Sequence, residues 1–186
     1  MFLPFDSQKA IQMVGVILRN HRASIASKLR ILKILYVADR ESIRDTGYPM
    51  LGSRVVAMDH GPLHSAALDL INGEHIDEPQ FSQHFEKFGY MLQMSKDPGV
   101  GRLSRNDIEI IESVCQRYAS VGDWDLAHDI THSFDEWKAC HSAGTSTTIP
   151  LEAIIDAVGR AADRNQIIED IRLEKMAESA FGERSL

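Results

Sequence analysis

The histidines are the residues of this chain whose type and spacing could support metal or acid–base chemistry. His128 and His132 are four residues apart in a segment with a helical pattern, so both would lie on one face, as ligands do on zinc-binding helices. The metalloprotease motif has a glutamate directly after its first histidine, whereas Asp129 occupies that position here. Spacing indicates no third ligand. We interpret the pair as half-buried, hydrogen-bonded histidines, with a metal site as the alternative.

A second pair, His60 and His64, lies in the stretch RVVAMDHGPLHSA. Pro62 suits the first turn of a helix, where its missing N–H would have no partner anyway. His60 would then lie in the turn before the helix, so the two imidazoles would not share a helical face. The pattern predicts a strand-to-helix corner. The alternative is a site that either histidine forms with a distant acid such as Asp39 or Glu41.

Other catalytic signatures are weak. Cys115 and Cys140 form no CxxC pair, and His141 directly follows Cys140, where helical neighbours do not face each other. The glycines of Gly99–Gly101 are not followed by the helix and lysine of a phosphate-binding loop. We therefore assign no catalytic residue, no metal and no cofactor. This pattern favours a binding module over an enzyme.

Composition bounds the class of protein. A chain of 186 residues that is 44% hydrophobic and 25% charged is typical of one globular domain. No apolar run approaches the roughly 20 residues of a membrane helix, and MFLPFDSQKAIQ lacks the pattern of a signal peptide. With only two cysteines, these features predict a cytoplasmic protein with no membrane partner. The net charge of -7 argues against nucleic-acid binding and suits a basic protein partner.

Most of the chain has a helical pattern. The predicted helices span about 7–21, 24–45, 63–70, 104–119, 124–132, 134–141, 151–158 and 160–181. Ser7 is the expected cap of the first helix, Ser24 or Ser27 of the second, and Ser104 with Asp107 forms a capping box. The second helix carries a basic cluster that we interpret as a solvated face, or else a partner-binding one: Lys28, Arg30, Lys33, Arg40 and Arg44.

The predicted fold class is mainly α, with a minor β element. Val55–Met58 and Tyr90–Met94 read as short strands that could pair as a small antiparallel ribbon on a compact helical domain. We divide the chain into a helical domain, 1–159, and a C-terminal amphipathic helical tail, 160–186. The apolar positions of the tail need burial, either in a homodimer or by folding back on the body.

Four short blocks of the sequence carry a family resemblance. Leu29–Asp39 places Lys33, Leu35, Tyr36 and Asp39 where the family pattern has comparable residues in an apolar helix. The further blocks are Val56–Pro62, then Leu103 with Ser104, then Leu126, Thr131, His132 and Trp137. Over roughly residues 8–158 the chain resembles the SocA-like Panacea antitoxin domain, which implies a mostly helical fold with a small β element.

The resemblance implies a function and a set of site residues. Similar proteins, often phage-associated, are antitoxins that neutralise a cognate toxin by direct binding or as adaptors that deliver it to a protease. The residues assigned here to a structural or partner-binding motif are Lys33, Tyr36, Asp39, Asp59, His60, Gly61, Pro62, His132 and Trp137. Within this motif we predict a hydrogen bond between His60 and His132, with Trp137 packing on Pro62.

An enzyme is the alternative to an antitoxin. A metal-dependent hydrolase would draw on His60, His128 and His132, together with the carboxylate of Asp39 or Asp59.

Overall fold

The computed structural model describes residues 4–182, with side chains through 177. The predicted mainly α class is confirmed. The helices of this region are α1 (Ser7–Arg19), α2 (Lys28–Thr46), α3 (Ser65–Asn72), α4 (Glu78–Phe81), α5 (Arg105–Arg117), α6 (Asp123–Asp125), α7 (Asp135–Cys140), α8 (Leu151–Ala157) and α9 (Arg164–Gly182). Its strands are β1 (Ile25–Ser27), β2 (Val55–Met58), β3 (Gly61–His64), β4 (Phe85–Phe88), β5 (Met91–Met94) and β6 (Thr147–Thr148).

The helix boundaries follow from local capping chemistry. Asp6, rather than the expected Ser7, caps α1, because its side chain accepts a hydrogen bond of 2.9 Å from the Lys9 amide. Ser27 caps α2, and Gly47 ends that helix in the left-handed conformation, with φ at 85°. The capping box of Ser104 on α5 is present as predicted.

Helix α2 lies at the centre of the fold. It packs against α5, α1 and strand β3, and most of its residues from Arg30 to Ile43 are buried. The predicted solvated basic face is wrong for Lys33, which is fully buried, and for Arg30, which is nearly so, whereas Arg44 is exposed.

The strands form two small antiparallel sheets instead of one ribbon. Strand β2 pairs with β3 on one side and β6 on the other, and β5 pairs with β1 and β4. The two strands that the sequence predicted, near 55–58 and 90–94, thus lie in different sheets. The predicted pairing between them is wrong, because each pairs with its neighbour in a hairpin instead, β2 with β3 and β5 with β4.

The stretch around His60 is a β-hairpin, so the predicted strand-to-helix corner is wrong. Strands β2 and β3 are joined by a turn at Asp59 and His60, and Gly61 has φ at 88°. Pro62 lies on β3, an edge strand of its sheet, where a missing N–H is tolerated. Helix α3 begins only at Ser65.

The tail folds back onto the body, at least over its first turns. Ile167 and Ile171 of α9 are buried within the chain, and α9 contacts α8. Leu173 and Met176 further along α9 are exposed. The division of the chain at residue 159 stays a prediction, as does a homodimer. Within residues 4–182, none of the helices combines the length and apolarity needed to span a membrane.

Candidate functional site

Lys33 on α2 is completely buried beneath the β2–β3 hairpin. Its Nζ donates a hydrogen bond of 2.8 Å to the carbonyl of Pro62. Desolvation by burial lowers the pKa of Lys33 to about 7. The side chain therefore ties α2 to strand β3 and cannot meet a partner or a substrate in this conformation.

Tyr36, three residues along α2, connects it to α7. Its hydroxyl donates to Oε1 of Glu136 at 2.7 Å, and Arg40 donates to the same oxygen at 2.6 Å. Burial, together with the neighbouring Glu136 carboxylate, raises the pKa of Tyr36 well above its ordinary value. Oε2 of Glu136 is buried and has no hydrogen-bond partner. The Arg40 guanidinium compensates this buried carboxylate.

Asp39, a further three residues along, holds the loop after α2. Its Oδ1 accepts hydrogen bonds from the amides of Met50 and Leu51, the latter at 3.0 Å. Oδ2 lies 3.4 Å from Nε2 of His64, and both side chains are buried. Neither imidazole nitrogen of His64 meets the geometry of a hydrogen bond, so the two side chains are in close contact without one. The structure thus joins His64 to Asp39, while the other candidate acid, Glu41, pairs with Arg117.

Gly61 permits the close approach of the hairpin to the helices. A Cβ at this position would overlap Oγ1 of Thr131 and lie 3.2 Å from the carbonyl oxygen of Ala127 and 3.3 Å from Nζ of Lys33. Its φ of 88° also favours glycine. The Gly61 position in the motif is therefore explained by packing and backbone conformation.

Six aromatic rings form a continuous stack, which we name the ring surface: His60, Trp124, His128, His132, Trp137 and His141. His128 stacks on Trp124 with ring centroids 3.7 Å apart, and His132 stacks on Trp137 at 3.8 Å with only 7° between the planes. His128 and His132 meet edge to face at 4.7 Å, which links the two halves. The hairpin turn, the segment 124–132 and α7 each contribute rings.

Hydrogen bonds hold this stack in place. Nδ1 of His60 lies 3.1 Å from Nε2 of His128, whose Nδ1 lies 3.2 Å from the carbonyl oxygen of Trp124. Because a carbonyl only accepts, Nδ1 of neutral His128 carries the proton and Nε2 accepts from His60. The predicted partner of His60, His132, is replaced by His128. Trp137 donates from Nε1 to the carbonyl of Met58 at 3.0 Å, and its packing on Pro62 stays a prediction.

His132 lies in the middle of the ring surface and is half-buried. Its Nε2 is buried and has no hydrogen-bond partner. Desolvation lowers the pKa of His132, and the nearby positive charge of a protonated His128 acts in the same direction. Stacking on Trp137, the edge of the His128 ring and a hydrogen bond to the backbone of Asp59 together fix this imidazole.

Asp59 organises the outer end of the ring surface. Its Oδ1 lies 3.0 Å from Nε2 of His141 and accepts a hydrogen bond of 3.0 Å from the Gly144 amide. These two interactions lower the pKa of Asp59. Sequence reasoning missed Trp124, His141 and Glu136 as members of the site. The four-residue spacing of Trp124, His128 and His132 was the available signal.

The ligand set of the hydrolase alternative does not converge. Asp39 lies in the interior, where its carboxylate accepts hydrogen bonds from backbone amides. Asp59 lies at the surface, where it interacts with His141 and the Gly144 amide. His60 and His128 bond directly to each other. Across the described part of the chain, no group of three or more His, Cys, Asp or Glu side chains is arranged to hold a metal ion.

Comparison with known proteins identifies the family. The family model of the antitoxin SocA-like Panacea domain matches residues 31–138, more than half of the chain, from the first turn of α2 into α7. The chain belongs to the SocA-like Panacea antitoxin domain family. Searches of curated proteins and of solved structures gave no significant match.

Proposed function

We propose that this chain is an antitoxin that neutralises a cognate protein toxin by binding it. The observation that carries the proposal is the family match over residues 31–138, which includes the polar residues of α2 and the whole hairpin. Toxin neutralisation requires recognition of a protein surface and no chemical step. A chain built as a rigid interaction module is suited to that task.

The internal contacts of the motif support a binding role over a catalytic one. Lys33, Tyr36 and Asp39 are buried and each is engaged with another element of the fold. Side chains in such positions stabilise the arrangement of the hairpin, the 47–52 loop and α7. The rings on the outside of that framework are then held in fixed positions, ready for a partner.

Co-expression with the product of the neighbouring open reading frame tests the proposal. Each gene is placed under its own inducible promoter, and growth is followed with the neighbour alone and with both. We expect growth arrest by the neighbour, rescue by this chain, and co-purification of the two proteins. A harmless neighbour that does not co-purify, or arrest that persists while this chain is present and folded, would contradict the proposal.

The same strains separate two ways of neutralising the toxin. An antitoxin that blocks its toxin directly leaves the toxin level unchanged. An adaptor that hands the toxin to a protease shortens the half-life of the toxin, and rescue then fails in hosts that lack the protease. Toxin half-life, measured after translation is stopped in the presence and absence of this chain, decides between them.

A further inference from the structure

The ring surface has an exposed end that no other part of the described structure covers. The side chain of Trp124 stacks on His128, yet 63% of the residue is exposed, and His60 beside it is also exposed. Most of this large aromatic residue therefore remains in contact with water in the monomer. An exposed aromatic cluster on a rigid framework is typical of a surface that is buried by a partner.

The backbone beneath these rings is irregular in a way that is found at functional sites. Leu126–Ile130 is a single π-helical turn between α6 and the 3₁₀ turn Thr131–Ser133. Such turns are rare in proteins, and those that occur are often found at functional sites. Here the turn brings His128 against both Trp124 and His60, so the rings are ordered before any partner arrives. Preorganised side chains lose little conformational entropy on binding.

Two acidic residues adjoin the exposed end in the chain. Asp125 and Asp129 directly follow Trp124 and His128 in the chain, and both are exposed. Within residues 4–177, neither carboxylate forms an ion pair. They therefore add unpaired negative charge to the surface of a chain whose net charge is -7.

Three cations on elements that adjoin the ring surface are already engaged. Arg30 pairs with Asp123 at 2.5 Å, and Lys138 pairs with Asp135 at 3.2 Å. Lys33 is buried under the hairpin. None of these three cations pairs with Asp125 or Asp129, and a basic group of a partner would supply the missing positive charge.

We propose that the exposed end of the ring surface binds an arginine-bearing segment of a protein partner, with the guanidinium stacked on Trp124 and paired with Asp125 or Asp129. The face of an indole attracts a cation, and the planar guanidinium stacks on it while its N–H groups bond to carboxylates. An apolar segment would instead desolvate both carboxylates without compensation. The identity of the partner as a toxin rests on the proposed function, but the arginine recognition does not.

A labelled peptide tests this recognition without the toxin. The probe is a fluorescein-labelled peptide of alternating arginine and glycine, and fluorescence anisotropy measures its binding to the full chain. The matched control peptide carries citrulline, which has nearly the shape of arginine but no charge, and a lysine peptide separates stacking from charge alone. We expect saturable binding of the arginine peptide, weaker binding of lysine, none of citrulline, and loss of affinity at high salt.

Variants of the chain locate the binding. Trp124→Ala should weaken the arginine peptide about tenfold, and the double variant D125N/D129N should weaken it by a similar factor and reduce its salt dependence. The control variants are Tyr90→Ala, which removes an exposed aromatic from the β4–β5 turn, and E86Q/E112Q, which removes two exposed carboxylates elsewhere. Both should bind like the wild type. Thermal melting confirms that every variant is folded.

The outcomes distinguish this inference from the proposed function. If Trp124→Ala binds the arginine peptide as the wild type does, or if the peptide does not bind at all, the inference is overturned even where the toxin is neutralised. If the peptide binds as expected but the neighbouring product is neither toxic nor bound, the arginine site stands and the antitoxin proposal fails. If both hold, Trp124→Ala should also reduce rescue from the toxin.

Discussion

Burial of Lys33 predicts an unusual dependence of stability on pH. Its side chain has no exposed surface, a single hydrogen bond to Pro62, and a pKa lowered to about 7 by desolvation. In the unfolded chain a lysine ordinarily has a pKa of about 10.4. Between these two values the unfolded state binds more protons than the folded state, so the free energy of unfolding rises with pH.

The size of the effect follows from the pKa of about 7 in the folded protein. Linkage gives an increase in the free energy of unfolding of about 1.6 kcal/mol as the pH rises from about 7 to about 8.5. Burial raises the pKa of Cys115 to about 12, which acts in the opposite direction, but only near and above the ordinary thiol pKa. The window below about pH 8.5 therefore reports mainly on Lys33.

Urea unfolding of the wild type and of Lys33→Met, at several pH values in this window, measures the slope. We expect the wild type to gain stability with pH and the slope to be lost in Lys33→Met, which keeps the apolar stem but has no amine to protonate. Lys96→Met, at an exposed position, is the matched control and should keep the wild-type slope. A flat wild-type profile, or an equal slope in Lys33→Met, would refute the reasoning about this amine.

Three further predictions concern the framework of the site. Gly61→Ala places a Cβ against Thr131 at a positive φ. Urea unfolding should show a free energy of unfolding lower by about 2–4 kcal/mol. A loss below about 0.5 kcal/mol, as for an ordinary surface change, would argue against the tight packing of the hairpin. Asp39→Asn weakens the hold on the Leu51 amide and should speed hydrogen exchange in the 47–52 loop, and unchanged exchange there would contradict its role. Ser104→Ala removes a helix cap and should cost about 1 kcal/mol by thermal melting, while an unchanged melting temperature would show that the cap contributes nothing.

Features set by local chemistry were predictable from the sequence. The start of α5 follows from Ser104 and Asp107, whose reciprocal hydrogen bonds involve residues three apart. The end of α2 follows from Gly47, which adopts the left-handed conformation that other residues avoid. Neither depends on any distant part of the chain.

The complete sheets could not be predicted, because each adds a strand that is distant in the chain to a local hairpin. Strand β2 lies between β3 and a two-residue strand, Thr147–Thr148, that is about ninety residues away. The Gly61-Pro62 pair is compatible with either a helix start or an edge strand, and the packing of Gly61 against Lys33 and Thr131 selects the hairpin. A local pattern contains no information about that packing.

Only part of the ring surface was predictable from the sequence, and its geometry was not. His60, His132 and Trp137 were assigned to one motif, and all three do lie in the ring surface. The predicted contact between His60 and His132 was wrong because the π-helical turn places His128 between them. Trp124 was missed because the exposure of a tryptophan is set by the tertiary fold.

Growth rescue by this chain, measured together with the amount of complex recovered, is the most direct test of the antitoxin account. Cells that express the neighbouring product should stop growing, and induction of this chain should restore growth and yield a complex of the two proteins. Growth that stays arrested, while this chain is abundant, folded and not bound to the neighbouring product, would contradict the account.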